Sequence, residues 1–335
     1  MDLIRGSAIL LVLLLHATTI PMLFAGVHPG RVLTDINDVL SPYRMPLLFL
    51  LSGLLLERSL RRPLWTYYGS KFRTLVWPYF VWMLVGMLTE EVLTGEHVSV
   101  FEPRFWGPTN WLWFIGYLAV YYAAAPPLAR IPGLWFAIVP ATLLLLSWPL
   151  TDGPISDLPY YAAFFFGGLL CARFGDRLRR FETFGLLIFC FGIALVFGGV
   201  LVARNRGFTD VMAEGFAAHR LPLLSVVLTG MAGAVLLARR VVGAHRGENR
   251  NVAPWLQYIG VNSVVFYVVH MPVMMLVTAV LAAEDVRNPN VAIPACFAAA
   301  VTASYFACWL RRYRIVGALF IFPGAARPAR VALHS

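Results

Sequence analysis

The chain has 335 residues, of which 59% are apolar and only 13% are charged. A soluble globular domain is about half apolar and about a quarter charged, so this composition excludes an ordinary soluble protein. The formal net charge of +10 comes from scattered basic residues, and no basic run is interleaved with aromatic residues. This distribution argues against a nucleic-acid partner and for an integral membrane protein.

Apolar stretches that can cross a lipid bilayer recur along the whole chain. A helix needs about 20 apolar residues to span the hydrocarbon. The first stretch begins almost at Met1, without a basic leader or a cleavage site, which predicts a retained span and not a signal peptide. The predicted spans are residues 3–24, 43–57, 75–93, 110–129, 133–150, 158–172, 184–203, 220–238, 254–283 and 291–310.

The basic residues indicate the orientation of these spans. With the N-terminus inside, most of the 27 Lys and Arg residues fall in cytoplasmic loops and in a basic tail of residues 311–335, while Arg44 and a few others lie at the outer margin. Gaining or losing one span would destroy this bias. We therefore predict a single all-α membrane domain of about ten transmembrane helices, with both termini cytoplasmic, in a bacterial cytoplasmic membrane.

The first span carries two ionisable residues, which are costly in a membrane and therefore candidates for function. Arg5 and His16 are eleven residues apart, close to three helical turns, so they share one helix face. Arg5 lies roughly 16 Å nearer the cytoplasm, given about 1.5 Å of rise per residue. Arg5 is placed to meet phosphates of an anionic donor, and His16 to take a proton from an acceptor. The structural alternative is a snorkelling arginine and a histidine hydrogen-bonded between helices.

Three later stretches add polar residues in a recognisable order. The second span contains Phe49 to Gly53, with Ser52. Lys71 to Pro78, with Arg73, lead into the third span. The ninth span contains Gly260 to Pro272, with the polar residues Asn262, Ser263, Tyr267 and His270. Together with Arg5 and His16, this order resembles the acyltransferase-3 family of multi-pass membrane acyltransferases over nearly the whole chain. The family's basic pair is two arginines separated by two residues. Lys71 and Arg73 are separated by one, which leaves open which of them fills the family role.

The resemblance implies a transfer reaction. A short acyl group, commonly acetyl, would move from cytoplasmic acyl-CoA to a hydroxyl of a cell-surface or lipid-linked carbohydrate. In that reading His16 is the general base or a transient acyl carrier, and Arg5, Lys71 and Arg73 bind the donor. Acyl-CoA is then a co-substrate, with no bound cofactor. The Cys and His spacings predict no metal site.

Further polar residues are candidates for substrate contact or for support of the site. Ser52 can approach a cavity, although Ser-Gly also permits close helix packing. Two adjacent glutamates end the third span, and they bind an acceptor sugar, orient a histidine or, as interface carboxylates usually do, face solvent. His270 either touches substrate or satisfies a carbonyl freed by Pro272. The full set is Ser52, Glu90, Glu91, Asn262, Tyr267 and His270.

Two other classes of protein remain possible at this point. A transporter or flippase for a glycan-type substrate would use Arg5 and His16 to line its path, although no paired repeat is evident. The unrelated membrane-bound O-acyltransferase fold would place its histidine late in the chain. In that case His270 would be essential and His16 dispensable.

Overall fold

The computed structural model describes residues 1–102, 105, 110–147, 154–178 and 253–323. Every regular element within these ranges is a helix. The predicted spans 184–203 and 220–238 lie outside the described residues, as does the end of the predicted tail.

The N-terminal part contains five helices and one π-helical turn. The helices are α1 (Asp2–Ala25), α2 (Arg31–Leu54), α3 (Leu56–Leu60), α4 (Leu64–Lys71) and α5 (Trp77–Thr94). The π-helical turn, Phe72–Val76, joins α4 to α5 without a break. Such turns carry one extra residue per turn and often occur at functional sites. Gly26 ends α1 with a φ of 65°, and its N–H bonds to the carbonyl of Pro21.

Seven more helices follow in the described ranges. They are α6 (Trp113–Leu128), α7 (Ile138–Ser147), α8 (Pro154–Leu178), α9 (Pro254–Val261), α10 (Ser263–Ala283), α11 (Pro289–Leu310) and α12 (Arg314–Ala318), with a 3₁₀ turn at Gly133–Ala137.

Four helical segments of the described chain are long and apolar enough to cross a membrane. They are Asp2–Ala25, Leu64–Thr94, Ser263–Ala283 and Pro289–Leu310. They overlap the predicted spans 3–24, 75–93, 254–283 and 291–310. The chain is therefore an all-helical membrane protein wherever the structure describes it. The total of ten spans and their orientation stay predictions.

The predicted span 254–283 consists of two helices. Asn262 separates α9 from α10 with φ −100° and ψ 19°. Its side-chain amide donates to the carbonyl of Tyr258 over 2.9 Å, and Arg311, directly after α11, donates to its Oδ1 over 3.1 Å. The side chain thus bonds back to the last turn of α9, as asparagine often does at a helix end, and it makes no capping bond to α10.

Glycines allow two pairs of helices to approach closely. A Cβ atom on Gly6 would collide with the carbonyl of Leu256, and one on Gly260 would collide with that of Asp2. These glycines therefore bring the start of α1 against α9. Small residues permit such close backbone approach in membrane bundles.

The second close pair joins α2 to α8. A Cβ atom on Gly53 would collide with the carbonyl of Phe165, and one on Gly168 with that of Leu50. The Ser-Gly pair of the second span thus has a packing role through its glycine.

The helix α1 is central to the described bundle, since it packs against α2, α9, α10 and α11. The segment after α11 folds back onto α5. Trp77 Nε1 donates to the carbonyl of Ala318 over 2.6 Å, and Trp82 Nε1 donates to that of Leu319 over 3.1 Å. The first part of the predicted tail is therefore docked on the bundle.

Candidate functional site

Two histidines from different helices meet inside the bundle. His16 on α1 and His270 on α10 place Nδ1 of the first 3.2 Å from Nε2 of the second, and their ring centroids are 4.9 Å apart. His16 Nδ1 also lies 3.0 Å from the carbonyl oxygen of Val12. His270 Nδ1 lies 2.6 Å from the carbonyl oxygen of Tyr267. The fold thus joins two residues that the sequence presented as separate candidates.

The two rings differ in their access to solvent. His270 is 0% exposed, whereas His16 is partly exposed. His270 can therefore act only through its neighbours, while His16 keeps part of its surface accessible. The proline at 272 frees the carbonyl four residues earlier, that of Val268, yet the His270 ring bonds to Tyr267. The hydrogen bond between His270 and the Tyr267 carbonyl therefore does not compensate for the backbone hydrogen bond that Pro272 removes.

A cavity of about 250 Å³ lies on the Arg5 side of the histidine pair. The helices α1, α2, α4, α6, α9 and α10, together with the π-helical turn, contribute residues to its walls. Its polar lining residues are Arg5, Ser52, Lys71, Thr74, Tyr122, Ser263 and Tyr267. The remaining lining is aliphatic or phenyl, so the cavity has a basic end and an apolar interior.

The basic end is organised around one tyrosine. Lys71 Nζ lies 3.7 Å from the ring centroid of Tyr122, an attractive cation–π contact. Arg5 is near enough to act electrostatically on the same tyrosine. Its guanidinium lies 3.7 Å from the half-exposed Asp2 carboxylate. Two cations therefore converge on one wall of the cavity, as an anion site requires.

Ser52 lines this end of the cavity in two ways. Its hydroxyl donates to the carbonyl of Leu48 over 2.8 Å, a bond within its own helix. Its carbonyl accepts from the Tyr122 hydroxyl over 3.4 Å. Ser52 thus holds the tyrosine that Lys71 covers, while the adjacent Gly53 provides the helix packing.

Tyr267 connects the cavity to the histidine pair. Its ring lines the cavity and has its centroid 5.6 Å from that of His270. Its hydroxyl donates to the carbonyl of Trp111 over 3.2 Å. His16 does not line the cavity. On α1 the lining stops at Ile9, seven residues or roughly 10 Å before His16.

Other candidate residues lie away from this cavity. Arg73 is exposed, and its carbonyl accepts from the Phe322 N–H over 3.1 Å. Glu91 lies near the far end of α5, with Oε1 3.3 Å from Nδ1 of His97. Glu90 adjoins it there, and Asn262 is held at the α9–α10 junction. Arg5, Ser52, Lys71 and Tyr267 are thus the sequence candidates that the cavity brings together.

Arg44 is a residue that the sequence reasoning used only to orient the spans. It is 2% exposed on α2, it donates to the carbonyl of Asn37, and its charge acts on His16. The Asn37 amide in turn donates to Thr18 Oγ1 over 3.0 Å. Arg44 lies inside the predicted span 43–57, so the rule that drew attention to Arg5 also applies to it.

Of three comparisons with known proteins, one finds a match. A family model described as an acyltransferase domain matches residues 1–309. No curated protein and no solved structure matches the chain. The matched range contains both histidines and every residue of the cavity. The chain therefore belongs to the acyltransferase-3 family, and it is a membrane acyltransferase.

Proposed function

We propose that this membrane acyltransferase moves a short acyl group from acyl-CoA in the cytoplasm to a hydroxyl of a cell-surface or lipid-linked carbohydrate. The observation that carries the proposal is the cavity in which Arg5 and Lys71 face one tyrosine, on the same side of the bundle as the Arg5 end of α1. A CoA ester carries several phosphates, and these two cations are the groups that bind them.

The proposed roles follow the depth of each residue. Arg5 and Lys71 hold the phosphates at the cytoplasmic edge, and the acyl group enters the apolar interior. His16 is the general base that takes the proton of the acceptor hydroxyl. The hydroxyl oxygen then bonds to the acyl carbon, the C–S bond of the thioester breaks, and the proton on His16 passes to the departing thiolate.

The size of the cavity supports a short acyl group. Pockets for drug-sized ligands measure roughly 300–1,000 Å³, and this one measures about 250 Å³. It has room for an acetyl group and for part of the CoA arm to which that group is attached. The proposal requires the cavity to lengthen along α1, past Ile9, when the donor binds.

The proposed sidedness follows from the positive-inside bias of the sequence. The Arg5 end of α1 would face the cytoplasm, where CoA esters occur, and the other end would face the acceptor. The acyl group would then cross the bilayer while CoA stays inside. The cell membrane of a bacterium is the proposed setting.

Transfer of labelled acetyl from acetyl-CoA tests the proposal. Membranes carrying the native chain are compared with membranes carrying His16→Ala at equal abundance. Label in polysaccharide or glycolipid only with the native chain supports the proposal. Equal labelling in both overturns the role of His16. No labelling from acetyl-CoA or other short CoA esters would overturn the proposed donor.

A further inference from the structure

The hydrogen bonds around His270 fix the position of its ring proton. Its Nδ1 lies 2.6 Å from the carbonyl oxygen of Tyr267. A carbonyl oxygen only accepts, and two lone pairs at this distance would repel, so Nδ1 of His270 carries the proton. A neutral imidazole has one such proton. Nε2 of His270 therefore presents a lone pair.

The same reasoning then fixes the proton of His16. Its Nδ1 faces two acceptors, the carbonyl oxygen of Val12 at 3.0 Å and Nε2 of His270 at 3.2 Å. A nitrogen between two acceptors must be a donor, so Nδ1 of His16 carries the proton. The Nε2 atom of His16 is consequently the unprotonated nitrogen. The neutral ring thus has its basic atom on the edge away from His270.

We propose that His270 is the positioning residue of His16, and that Nε2 of His16 is the atom that takes the acceptor's proton. This inference rests on the proposed function and deepens it by naming the basic atom and the group that sets it. His270 occupies the place that a carboxylate takes beside the histidine of many hydrolytic sites. It holds the ring by Nδ1 and stabilises the imidazolium that forms in the reaction.

The burial of the two rings supports this division of roles. His270 is 0% exposed and so acts through its neighbours, whereas part of the surface of His16 is accessible. The Tyr267 carbonyl polarises the His270 ring and makes its Nε2 a better acceptor. A chain of three groups therefore runs from the Tyr267 carbonyl through His270 to His16.

The chemical step keeps both histidines in their places. The acceptor hydroxyl gives its proton to Nε2 of His16 as its oxygen bonds to the thioester carbon. His16 is then an imidazolium whose Nδ1–H points at His270. When the C–S bond breaks, the Nε2 proton passes to the thiolate sulfur. His270 neither gains nor loses a proton, and the site returns to its starting state.

Variants of His270 test this inference in membranes that carry the full chain, with labelled acetyl-CoA as donor and the endogenous glycan as acceptor. His270→Met fills a similar volume without the acceptor nitrogen, and His270→Gln places an amide oxygen near the position of Nε2. We expect His270→Met to lower kcat by about 10- to 100-fold, because a hydrogen bond to a charged group is lost. The KM for acetyl-CoA should change by less than about 3-fold, because the ground-state contacts of the donor are intact. His270→Gln should recover at least about 10-fold of the lost rate, in line with a bond of that strength. The exposed His28→Met is the matched control.

The ring nitrogens of His16 give a second readout that does not depend on activity. The native full chain in lipid nanodiscs is labelled with ¹⁵N in its histidines, and the His16 signals are assigned by their loss in His16→Gln. A protonated Nδ1 and an unprotonated Nε2 support the inference. A proton on Nε2 overturns it, even where a His270 variant fails to fold.

The kinetic outcomes separate this inference from the proposed function. Equal labelling by the native chain and His16→Ala overturns the role of His16 as the base and with it this inference, whereas no labelling by the native chain defeats the proposed function. Labelling that needs His16 but is unchanged in His270→Met overturns the positioning role alone. Loss of rate that His270→Gln does not restore, at equal thermal stability, overturns it as well.

Discussion

The ammonium group of Lys71 lies 3.7 Å from the ring centroid of Tyr122, on a wall that Arg5 also lines. Arg73, two residues further along the chain, is exposed and does not line the cavity. The sequence presents both as basic residues of one motif. The geometry distinguishes them, since only Lys71 points its charge at the proposed donor.

Replacing Lys71 tests this distinction. In Lys71→Met we expect the KM for acetyl-CoA to rise by about 10- to 100-fold, since a hydrogen bond to a charged group contributes about 1.5–3 kcal/mol. Arg73→Met should change this KM by less than about 3-fold, as is usual for exposed charges. Initial rates at varied acetyl-CoA measure both. A larger effect of Arg73→Met would place the phosphates on the outer side of the π-helical turn.

The apolar interior of the cavity predicts the choice of acyl group. Ile9→Ala widens the cavity towards His16, so the rate with butyryl-CoA relative to acetyl-CoA should rise by several-fold. A single methylene in a hydrophobic pocket contributes about 1–3 kcal/mol to such selectivity. The ratio is measured in one preparation and does not depend on how much protein is folded.

Leu13→Ala is the matched control for that change. Leu13 is 0% exposed on the same helix but does not line the cavity. Its loss should cost about 2–5 kcal/mol of stability, as for other buried leucines, and leave the butyryl-to-acetyl ratio unchanged. Equal ratios in both variants would show that the acyl group binds elsewhere.

Asn262 is expected to support the fold and not the reaction. It is 8% exposed, and its side chain connects Tyr258 to Arg311 across the α9–α10 junction. Asn262→Ala removes the side-chain hydrogen bonds to Tyr258 and Arg311, which together contribute about 1–3 kcal/mol. We expect a lower unfolding temperature in detergent, with kcat per folded molecule unchanged within about 3-fold for a site outside the cavity. A lower kcat with an unchanged unfolding temperature would show that Asn262 takes part in the reaction.

Two adjacent glycines of α8 give a paired test of helix packing. At Gly168 an added methyl group collides with the backbone of α2, whereas at Gly167 it meets nothing within 4 Å. Gly168→Ala should destabilise the protein by about 1–3 kcal/mol or more, as overpacking does. Gly167→Ala should be neutral or stabilising by up to about 1 kcal/mol, since alanine favours the helix. Thermal unfolding at matched detergent concentration measures both, and equal losses would contradict the close contact.

The family and the residues at the basic end could be predicted from the sequence, because they depend on order and spacing along single helices. The eleven-residue interval between Arg5 and His16 is a property of one helix, and the structure keeps it. The family match over residues 1–309 confirms the acyltransferase assignment. Four predicted spans coincide with helices long and apolar enough to cross a membrane.

The meeting of His16 with His270 could not be predicted, because 254 residues separate them and no local spacing encodes which helices touch. Arg44 illustrates a different limit. Positive-inside reasoning counts charges by side of the membrane, and that count placed Arg44 at the outer margin. The burial of Arg44 depends on the packing of α1 against α2, and a count of charges on each side of the membrane carries no information about packing.

The close contact of Gly6 and Gly260 has a consequence for how substrate enters. This contact packs the backbone of α1 directly against that of α9, close to the Arg5 end of α1. The helix α10 then begins directly after Asn262. The half of the site that carries both histidines is thus the fixed half. Widening that admits a thioester is therefore expected at the opposite wall, where Lys71, Leu118 and Tyr122 line the cavity. Lys71, the first residue to contact the donor, would then lie on the wall that moves, and His16, the base, in the half of the site that does not.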